Sequence, residues 1–587
     1  MNKAQIRKIY DITKKILFPL CLLLFACLKA NKGIDLTDST YSLGNYEFIS
    51  EGNGVWFLLT FVSNWIGRII MCLPFGGYML GFRIYSSLLV GGFAVIGYRF
   101  FRTKMPAWLA FLAEVAAIGL CWCPTTILYH YLTYGFLLMG SIFLFRGLAS
   151  SRSYCLFIAG AFLGINAFVR FPNNGLEVLL ILPLIFYGVI SKKTSKEIFR
   201  LIGICIVGYI STFLIVLIAM MCIYGADVPS MLINGTLGIA GSASDYTFGS
   251  MIASILNAYW HGMKWALYLV FCSLVGVPFF VLFENKFLKA RKIIYVLCIV
   301  FLCFVLMKFG MFNFKYYQKE AALQWGAVFL LISIVIDLMV IIGKRENRDW
   351  RLIAAISLVT IIITPLGSNN YIWPILNSLF FIAPVTFWMS YKYIRWGRTY
   401  LDRTKKVMQF PFKAMLCAAI VVFFIQSVGV GTRYVFLQGE ESGEKISSAV
   451  EGNDKLKGMK TTAYNAENLS SLSIFMNENE EKYKDKQLIL YGNIPGLSYI
   501  LDRPSALNTS WSDLASNPVE DMKEAILQVD GKNAASRPLV ILAKDRVLEA
   551  ESIEDQDNIT KFELINDYIN TNGYSAVFEN DVFIVYE

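Results

Sequence analysis

The stretch Asn31–Gly54, NKGIDLTDSTYSLGNYEFISEGNG, is polar and carries Asp35, Asp38, Glu47 and Glu51, yet it lies between two apolar runs. The run before it, near residues 15–30, is long enough to cross a bilayer. The run after it, Val55–Phe75, is apolar but contains Asn64 and Arg68 and is flanked by Trp56 and Trp65. An acidic loop held between such segments belongs at a membrane surface, where a carboxylate meets a lipid-borne substrate and a water-borne acceptor together. Polar external loops occur in every membrane protein, so the chemistry has to come from the surroundings.

Those surroundings are apolar throughout. Of 587 residues, 56% are hydrophobic, 15% aromatic and only 16% charged, and the mean hydropathy is +0.53. This composition describes a polytopic membrane protein. All twelve cysteines, Cys21 to Cys417, lie in or beside apolar runs and read as small buried hydrophobes, with no disulfide framework. Cys121-Trp-Cys123 lacks the spacing of a zinc site, and His130 and His261 are the two histidines of the chain. The net charge of +10 divides unevenly: residues 431–587 hold 15 basic and 27 acidic side chains, the first 430 hold 38 and 16. The basic residues stand in short clusters between apolar runs, which excludes a nucleic-acid patch and fits topology signals.

Thirteen spans are expected, near 15–30, 78–99, 105–123, 131–148, 154–170, 176–190, 201–223, 264–283, 292–309, 323–342, 352–365, 372–390 and 413–430. Basic clusters at Arg99–Lys104, Arg146–Arg152, Lys192–Arg200, Lys286–Lys292, Lys344–Arg351 and Lys392–Lys406 recur after every second span. By the positive-inside rule they face the cytoplasm, together with the N-terminus. That alternation holds only if Val55–Phe75 lies in the outer interface as an amphipathic helix instead of crossing. The outer loops are then 31–77, 124–130, 171–175, 224–263, 312–324 and 365–371. Residues 1–430 form the membrane part. Residues 431–587 form an external domain whose alternating helical and strand-like segments argue a small α/β sandwich.

Asp35-Leu-Thr-Asp38 is an i, i+3 pair. On one helical turn both carboxylates would share a face, and their repulsion would raise one pKa toward a useful base. Arg170 ends a span and is followed by Phe-Pro-Asn-Asn-Gly, a tight connection that suits either a guanidinium kept in the outer cavity to grip a phosphate bidentately or an arginine that snorkels to the interface. Arg68, Arg83, Lys308, Lys315 and Lys319 are further candidates for that phosphate, and each also suits a helix-end anchor. His261, near Trp260 and Trp265, could contact a sugar or acceptor or belong to an aromatic belt. Glu114 and Asp337 lie inside spans, where inter-helix pairing accounts for them. Asn369-Asn-Tyr-Ile-Trp-Pro374 offers amides to a cavity mouth, or simply makes a turn.

The order of these segments resembles the GT-C fold of polyprenyl-phosphate-sugar-dependent glycosyltransferases, such as the protein mannosyltransferases and the aminoarabinose transferase of lipid A. The resemblance rests on several segments: Asp38-Ser-Thr-Tyr41 in the first loop, Gly81-Phe-Arg83-Ile-Tyr-Ser-Ser at the second span, and Thr133-Tyr-Gly-Phe-Leu-Leu-Met-Gly at the fourth. Further matches are the Gly160–Arg170 span that ends in Arg, and Gly492–Arg503, which is similar to part of the family's external domain. The layout covers most of the chain, whereas the motif-like matches concentrate in the first 190 residues. Many members carry a second acid directly after the loop carboxylate. Ser39 stands there in this chain, so the resemblance leaves Asp35 and Asp38 both open as the catalytic acid, with Tyr41 at the family's distance favouring Asp38.

The expected function is therefore that of an inverting membrane glycosyltransferase. It would move a sugar from a polyprenyl-phosphate donor to an extracytoplasmic glycan, lipid or protein, with the loop acid as base and Arg170, Tyr41 and the other cations at the donor. No cofactor is required, although two neighbouring carboxylates would accommodate a divalent metal. The competing class is a transporter or a flippase for lipid-linked glycans. Against it, the chain shows no matching hydropathy halves and no broken helices at corresponding positions.

Overall fold

The computed structural model describes residues 3–51, 55–241, 248–282, 287–314, 320–343, 345–396, 409–436, 445–514, 517–530, 537–544 and 553–587. The first helix runs through α1 (Lys3–Ile12), one π turn and α2 (Phe18–Ala26). The polar stretch then forms α3 (Asp38–Glu47), and α4 (Val55–Leu59) and α5 (Phe61–Met71) follow. The bundle continues with α6 (Met79–Phe101), α7 (Ala107–Gly119), α8 (Leu128–Ala149), α9 (Ser153–Asn166) and a 3-10 stretch, Asn173–Leu180, that leads into α10 (Ile181–Ile190). Next come α11 (Ser195–Tyr224), α12 (Val228–Gly241), α13 (Phe248–Val281), α14 (Leu288–Met307) and α15 (Ala321–Ile342). It closes with α16 (Arg348–Ile363), α17 (Trp373–Asn377), α18 (Ile382–Trp396) and α19 (Phe410–Arg433).

Among the described residues, eight helices are long and apolar enough to cross a membrane: α6, α8, Asn173–Ile190, α11, α13, α14, α15 and α19. The chain is a multi-pass membrane protein. The other expected spans fall on shorter helices, because helices end where polar groups intervene and not where apolar sequence ends. Helix α9 stops at Asn166, whose side chain turns to Thr133 O at 3.0 Å and to the Glu177 carboxylate at 2.8 Å, although apolar residues continue to Val169. Helix α13 begins at Phe248 and not near 264, and α12 occupies part of the segment expected to be an outer loop.

Helices α2 and α6 run antiparallel along their lengths. Tyr98 Oη and Arg102 Nη1 donate to Lys14 O at 2.6 and 2.8 Å at one end, Gly91 meets Leu23 in the middle, and Arg83 Nη1 donates to Lys32 O at 2.7 Å at the other. Basic side chains gather at the Lys14 end. Lys104 lies 4.3 Å over the Phe145 ring next to Arg146, Arg351 lies over Phe186, and Lys392 pairs with Glu346. Residues 31–78 stay at the opposite end. Val62 N donates to Phe168 O, Arg68 Nη1 to Glu47 O, and Met79 N to Lys455 O. The Val55–Phe75 run thus lies across that end beside α3 without spanning the bundle.

The helices differ in what they face. Along α14, Ile293, Leu297, Val300, Phe301 and Phe304 are all exposed, as are Ile215 and Ile218 on α11. A continuous row of large apolar side chains left exposed along a helix is stable against lipid.

After α19 come α20 (Ala463–Glu478), α21 (Glu480–Tyr483), α22 (Leu497–Ile500), α23 (Val519–Asp530) and α24 (Ile553–Thr571). They surround strands β1 (Leu488–Tyr491), β2 (Leu539–Ala543), β3 (Ala576–Glu579) and β4 (Phe583–Tyr586), ordered β1-β2-β4-β3. β1 and β2 are parallel, and the remaining pairs are antiparallel. The period-2 alternation of a strand separates two cores. Ile489, Tyr491, Val540 and Leu542 pack on α23 and α24, whereas Leu488, Leu490, Leu539 and Ile541 join α20 in the same apolar cluster as the helical bundle. The backbone is stitched as well: Gly33 N donates to Lys460 O, Lys460 N to Asn31 O and Gly496 N to Leu36 O, each at 2.8 Å. A Cβ on Gly496 would sit 1.7 Å from Thr40 Oγ1, so this contact between α22 and α3 requires glycine.

Candidate functional site

Helix α3 begins at Asp38, with Thr37 as its N-cap, so Asp35 and Asp38 do not share the helical turn that their spacing anticipates. Asp35 precedes the helix and closes it. Its Oδ2 accepts the Ser39 N–H at 2.8 Å, one of the donors that a first turn leaves unpaired, and the Thr37 hydroxyl at 3.5 Å. Its Oδ1 lies 3.9 Å from Arg83 Nη2, and both side chains are buried. Arg83 is thereby committed to Asp35 and to Lys32 O, where it pins α6 to the first loop.

Asp38 points elsewhere. It opens on a cavity of about 430 Å³ at the Lys32 end of the bundle. Helix α3 contributes Asp38, Tyr41 and Asn45 to the wall, and the interfacial segment contributes Trp56 and Asn64. The start of α8 brings Tyr129 and His130, the turn after α9 brings Arg170 and Asn173, and the C-terminal part brings Trp511 and Leu514. Asn370 completes the rim from the turn before α17.

Arg170 is held by its backbone. Phe171 N donates to Leu59 O at 2.9 Å, Asn174 N to Arg170 O at 3.1 Å, and Asn173 Nδ2 to Gly367 O at 2.5 Å. The guanidinium lies 5.6 Å over the Tyr129 ring. Among the described residues, no carboxylate comes within ion-pairing distance of it. The same holds for Asp38 and cations, and no donor reaches its carboxylate among those residues. Burial pushes the Asp38 carboxyl up to about 7, and the charge of Asp35 acts in the same direction. Like-charge repulsion is thus the second cause of that shift. Asp35 is also raised by burial, opposed by Arg83 and the Ser39 bonds. Tyr41, raised chiefly by burial, has its hydroxyl 3.3 Å from Thr509 Oγ1.

Asp38, Tyr41 and Arg170 therefore share one cavity, and Asp35 and Arg83 form a buried pair outside its lining. Arg68 is on the exposed end of α5, bonded to Glu47 O at 3.1 Å. His261 returns its Nδ1 to Asn257 O of its own helix at 2.8 Å and does not line the cavity. Lys308 caps the exposed end of α14. Lys315 and Lys319 lie outside the described residues. Glu114 and Asp337, expected to pair between helices, have no cation beside them among the described residues. Glu114 packs against Gly97.

Three groups at the cavity were not singled out by pattern. Tyr129 and His130 open α8 shortly after Pro124, at the same end of the bundle as the Arg170 turn. Behind Arg170 lies a buried polar cluster in which Asn166 Nδ2 serves Glu177 and Asn174 Nδ2 serves Thr133 Oγ1 at 2.8 Å. Trp511 comes from a part of the chain with no motif at all. A divalent metal would need more than Asp38, because Asp35 is engaged with Arg83 and Ser39. Among the described residues no three His, Cys, Asp or Glu side chains converge as ligands.

Neither family models nor curated proteins match the chain. Among solved structures it is similar to the single-particle cryo-EM structure of arabinosyltransferase EmbB from Mycobacterium smegmatis, at 12% identity and a TM-score of 0.33, over 71% of this chain. The match spans 41% of that protein's length. A likeness this loose leaves the activity to be argued from the cavity itself.

Proposed function

We propose that the chain is an inverting glycosyltransferase of GT-C type, with thirteen spans, the basic end in the cytoplasm, and the cavity and residues 431–587 on the outer face of the membrane. The donor is a polyprenyl-phosphate sugar, and the acceptor is a hydroxyl of an external glycan, lipid or protein. The observation that carries this reading is that one cavity of about 430 Å³ at the Lys32 end of the bundle is lined both by a carboxylate, Asp38, and by an arginine, Arg170, neither with an ionic partner among the described residues. A carboxylate poised near 7 is matched to general-base work at neutral pH. In the reaction Asp38 takes the proton of the acceptor hydroxyl as its oxygen bonds to the anomeric carbon. The bond from that carbon to the phosphate oxygen breaks, its electrons stay on the lipid phosphate, and Arg170 meets the charge with charge-assisted hydrogen bonds. Tyr41, anchored to Thr509, borders the same space.

The test uses the purified full chain with a series of polyprenyl-phosphate hexoses and pentoses and reads release of polyprenyl phosphate. Surface glycans of a deletion strain, compared by mass spectrometry, identify the transferred sugar. Wild-type release rates in a protein with both Asp35 and Asp38 changed to Asn would end this reading.

A further inference from the structure

The C-terminal part reaches the cavity through one short turn, and that turn is built with more care than a lid requires. Trp511 N donates to Thr509 Oγ1 at 3.1 Å, and Thr509 Oγ1 in turn lies 3.3 Å from the Tyr41 hydroxyl. The Trp511 indole N–H donates to Asn493 Oδ1 at 3.1 Å. Asn493 stands in the left-handed region at φ 56. Its N–H and that of Gly492 both donate to Asp513 Oδ2, at 2.6 and 3.2 Å. The Tyr41 and Trp511 rings meet edge to face at 5.3 Å. An indole tied by its nitrogen, by its own backbone and by a neighbouring ring cannot rotate out of the cavity wall. Its half-buried face remains available.

We propose that Trp511 is a stacking platform for a pyranose ring, so that residues 492–514 form part of the substrate site; this rests on the transferase reading above. A pyranose is amphipathic: its axial C–H groups form an apolar face, and its hydroxyls lie around the rim. It is recognised where a rigid aromatic face stands among convergent amides and charges. The cavity has that composition, with Asn45, Asn173, Asn370, Asp38 and Arg170 in its wall beside Trp511. Asn493 and Asp513 are positioning residues, because they act through the indole and do not line the cavity. The ring can be the sugar that the donor carries or a sugar of the acceptor, since the platform chemistry is the same for both.

Saturation-transfer NMR on the purified full chain, with methyl α-D-mannopyranoside, α-D-glucopyranoside and α-D-galactopyranoside as probes, tests this directly. In the wild type the ring C–H protons of at least one probe should saturate. Trp511→Leu, which keeps apolar bulk, should lower that saturation at least fivefold, and Trp511→Phe should retain most of it. Asn493→Gly, which removes the acceptor of the indole N–H and keeps the left-handed backbone unstrained, should fall between them while keeping the wild-type melting temperature. Displacement of the probe by a polyprenyl-phosphate hexose assigns the platform to the donor sugar, and persistence of the signal assigns it to the acceptor. Equal saturation in Trp511→Leu and Trp511→Phe, or none in the wild type with any probe, overturns the proposal. Turnover of polyprenyl-phosphate donors, read on the same samples, separates the two readings. Turnover without a Trp511-dependent ring contact keeps the transferase and removes the platform, whereas ring contact without wild-type turnover keeps the platform and removes the transferase.

Discussion

Two aspartates three residues apart, Asp35 and Asp38, share one end of the bundle with Arg83 and Arg170 respectively, and the two sets are built differently. Asp35 and Arg83 are both buried, 3.9 Å apart, and Asp35 also accepts the Ser39 N–H while Arg83 donates to Lys32 O. Asp38 and Arg170 face one cavity and have no ionic partner among the described residues. A buried pair that also holds a backbone N–H on one side and a backbone carbonyl on the other ties a loop to a helix. Two ionisable side chains that line one cavity with no ionic partner are the ones left for the proposed chemistry. The contrast teaches that residue type and spacing name both sets equally well, and that only the surroundings of each side chain separate structure from chemistry.

The comparison breaks most sharply on turnover. Asp38→Asn keeps shape and polarity but cannot accept a proton, so turnover should fall by a factor on the order of 10² to 10⁴ with donor binding nearly unchanged, as measured by release of polyprenyl phosphate and by donor affinity. Asp35→Ala should instead leave Arg83 as an uncompensated buried charge and cost stability, about 3 to 5 kcal/mol, read as a lowered melting temperature in detergent. If Asp35→Asn abolished turnover without loss of stability while Asp38→Asn stayed active, the two roles would be reversed. Arg170→Ala should weaken donor affinity as well as turnover by roughly 1.5 to 3 kcal/mol, and Arg170→Lys should recover only part, because an ammonium cannot make the forked contact.

A pH series sharpens the comparison further. With Asp38 pushed up to about 7, the base form is lost below neutrality, and kcat/KM should fall about tenfold per pH unit there. The linked effect on stability has a definite sign. The folded pKa is above the ordinary carboxylate value, so the fold favours the neutral acid. This contribution is fully present below the unfolded pKa near 3.8 and is lost as pH rises through about 7. The melting temperature should decline between pH 5 and pH 8, and in Asp38→Asn that part of the decline should vanish. The smallest effect is expected at Arg68, whose exposed bond to Glu47 O makes Arg68→Ala a change within about 0.5 kcal/mol and near neutral for activity.

Much of the layout was legible because apolar length and charge report directly on the solvent. Eight of the expected spans fall on helices long and apolar enough to cross a membrane among the described residues, the expected span 372–390 is divided between α17 and α18, and the clusters at Lys14, Arg102, Lys104 and Arg146 meet at one end. Helix ends were less legible. Asn166 stops α9 through a side-chain bond to Glu177, a residue that apolar counting passes over. Of the candidate cations, Arg170 reaches the cavity, while Arg83 is turned away by Asp35 and Arg68 by Glu47 O.

Composition and periodicity, by themselves, determined that this chain lies in a membrane, that its polar first loop stays at one end, and that helices and strands alternate after residue 431. Those properties are local or solvent-driven, so a short window of residues suffices to express them. Which carboxylate faces the cavity, and that Arg170 and Trp511 line the same cavity, were decided by tertiary structure alone. They depend on contacts such as Gly496 on Thr40, Gly33 on Lys460 and Phe171 on Leu59, which bring together distant parts of the chain by shape and hydrogen bonding that no single segment encodes.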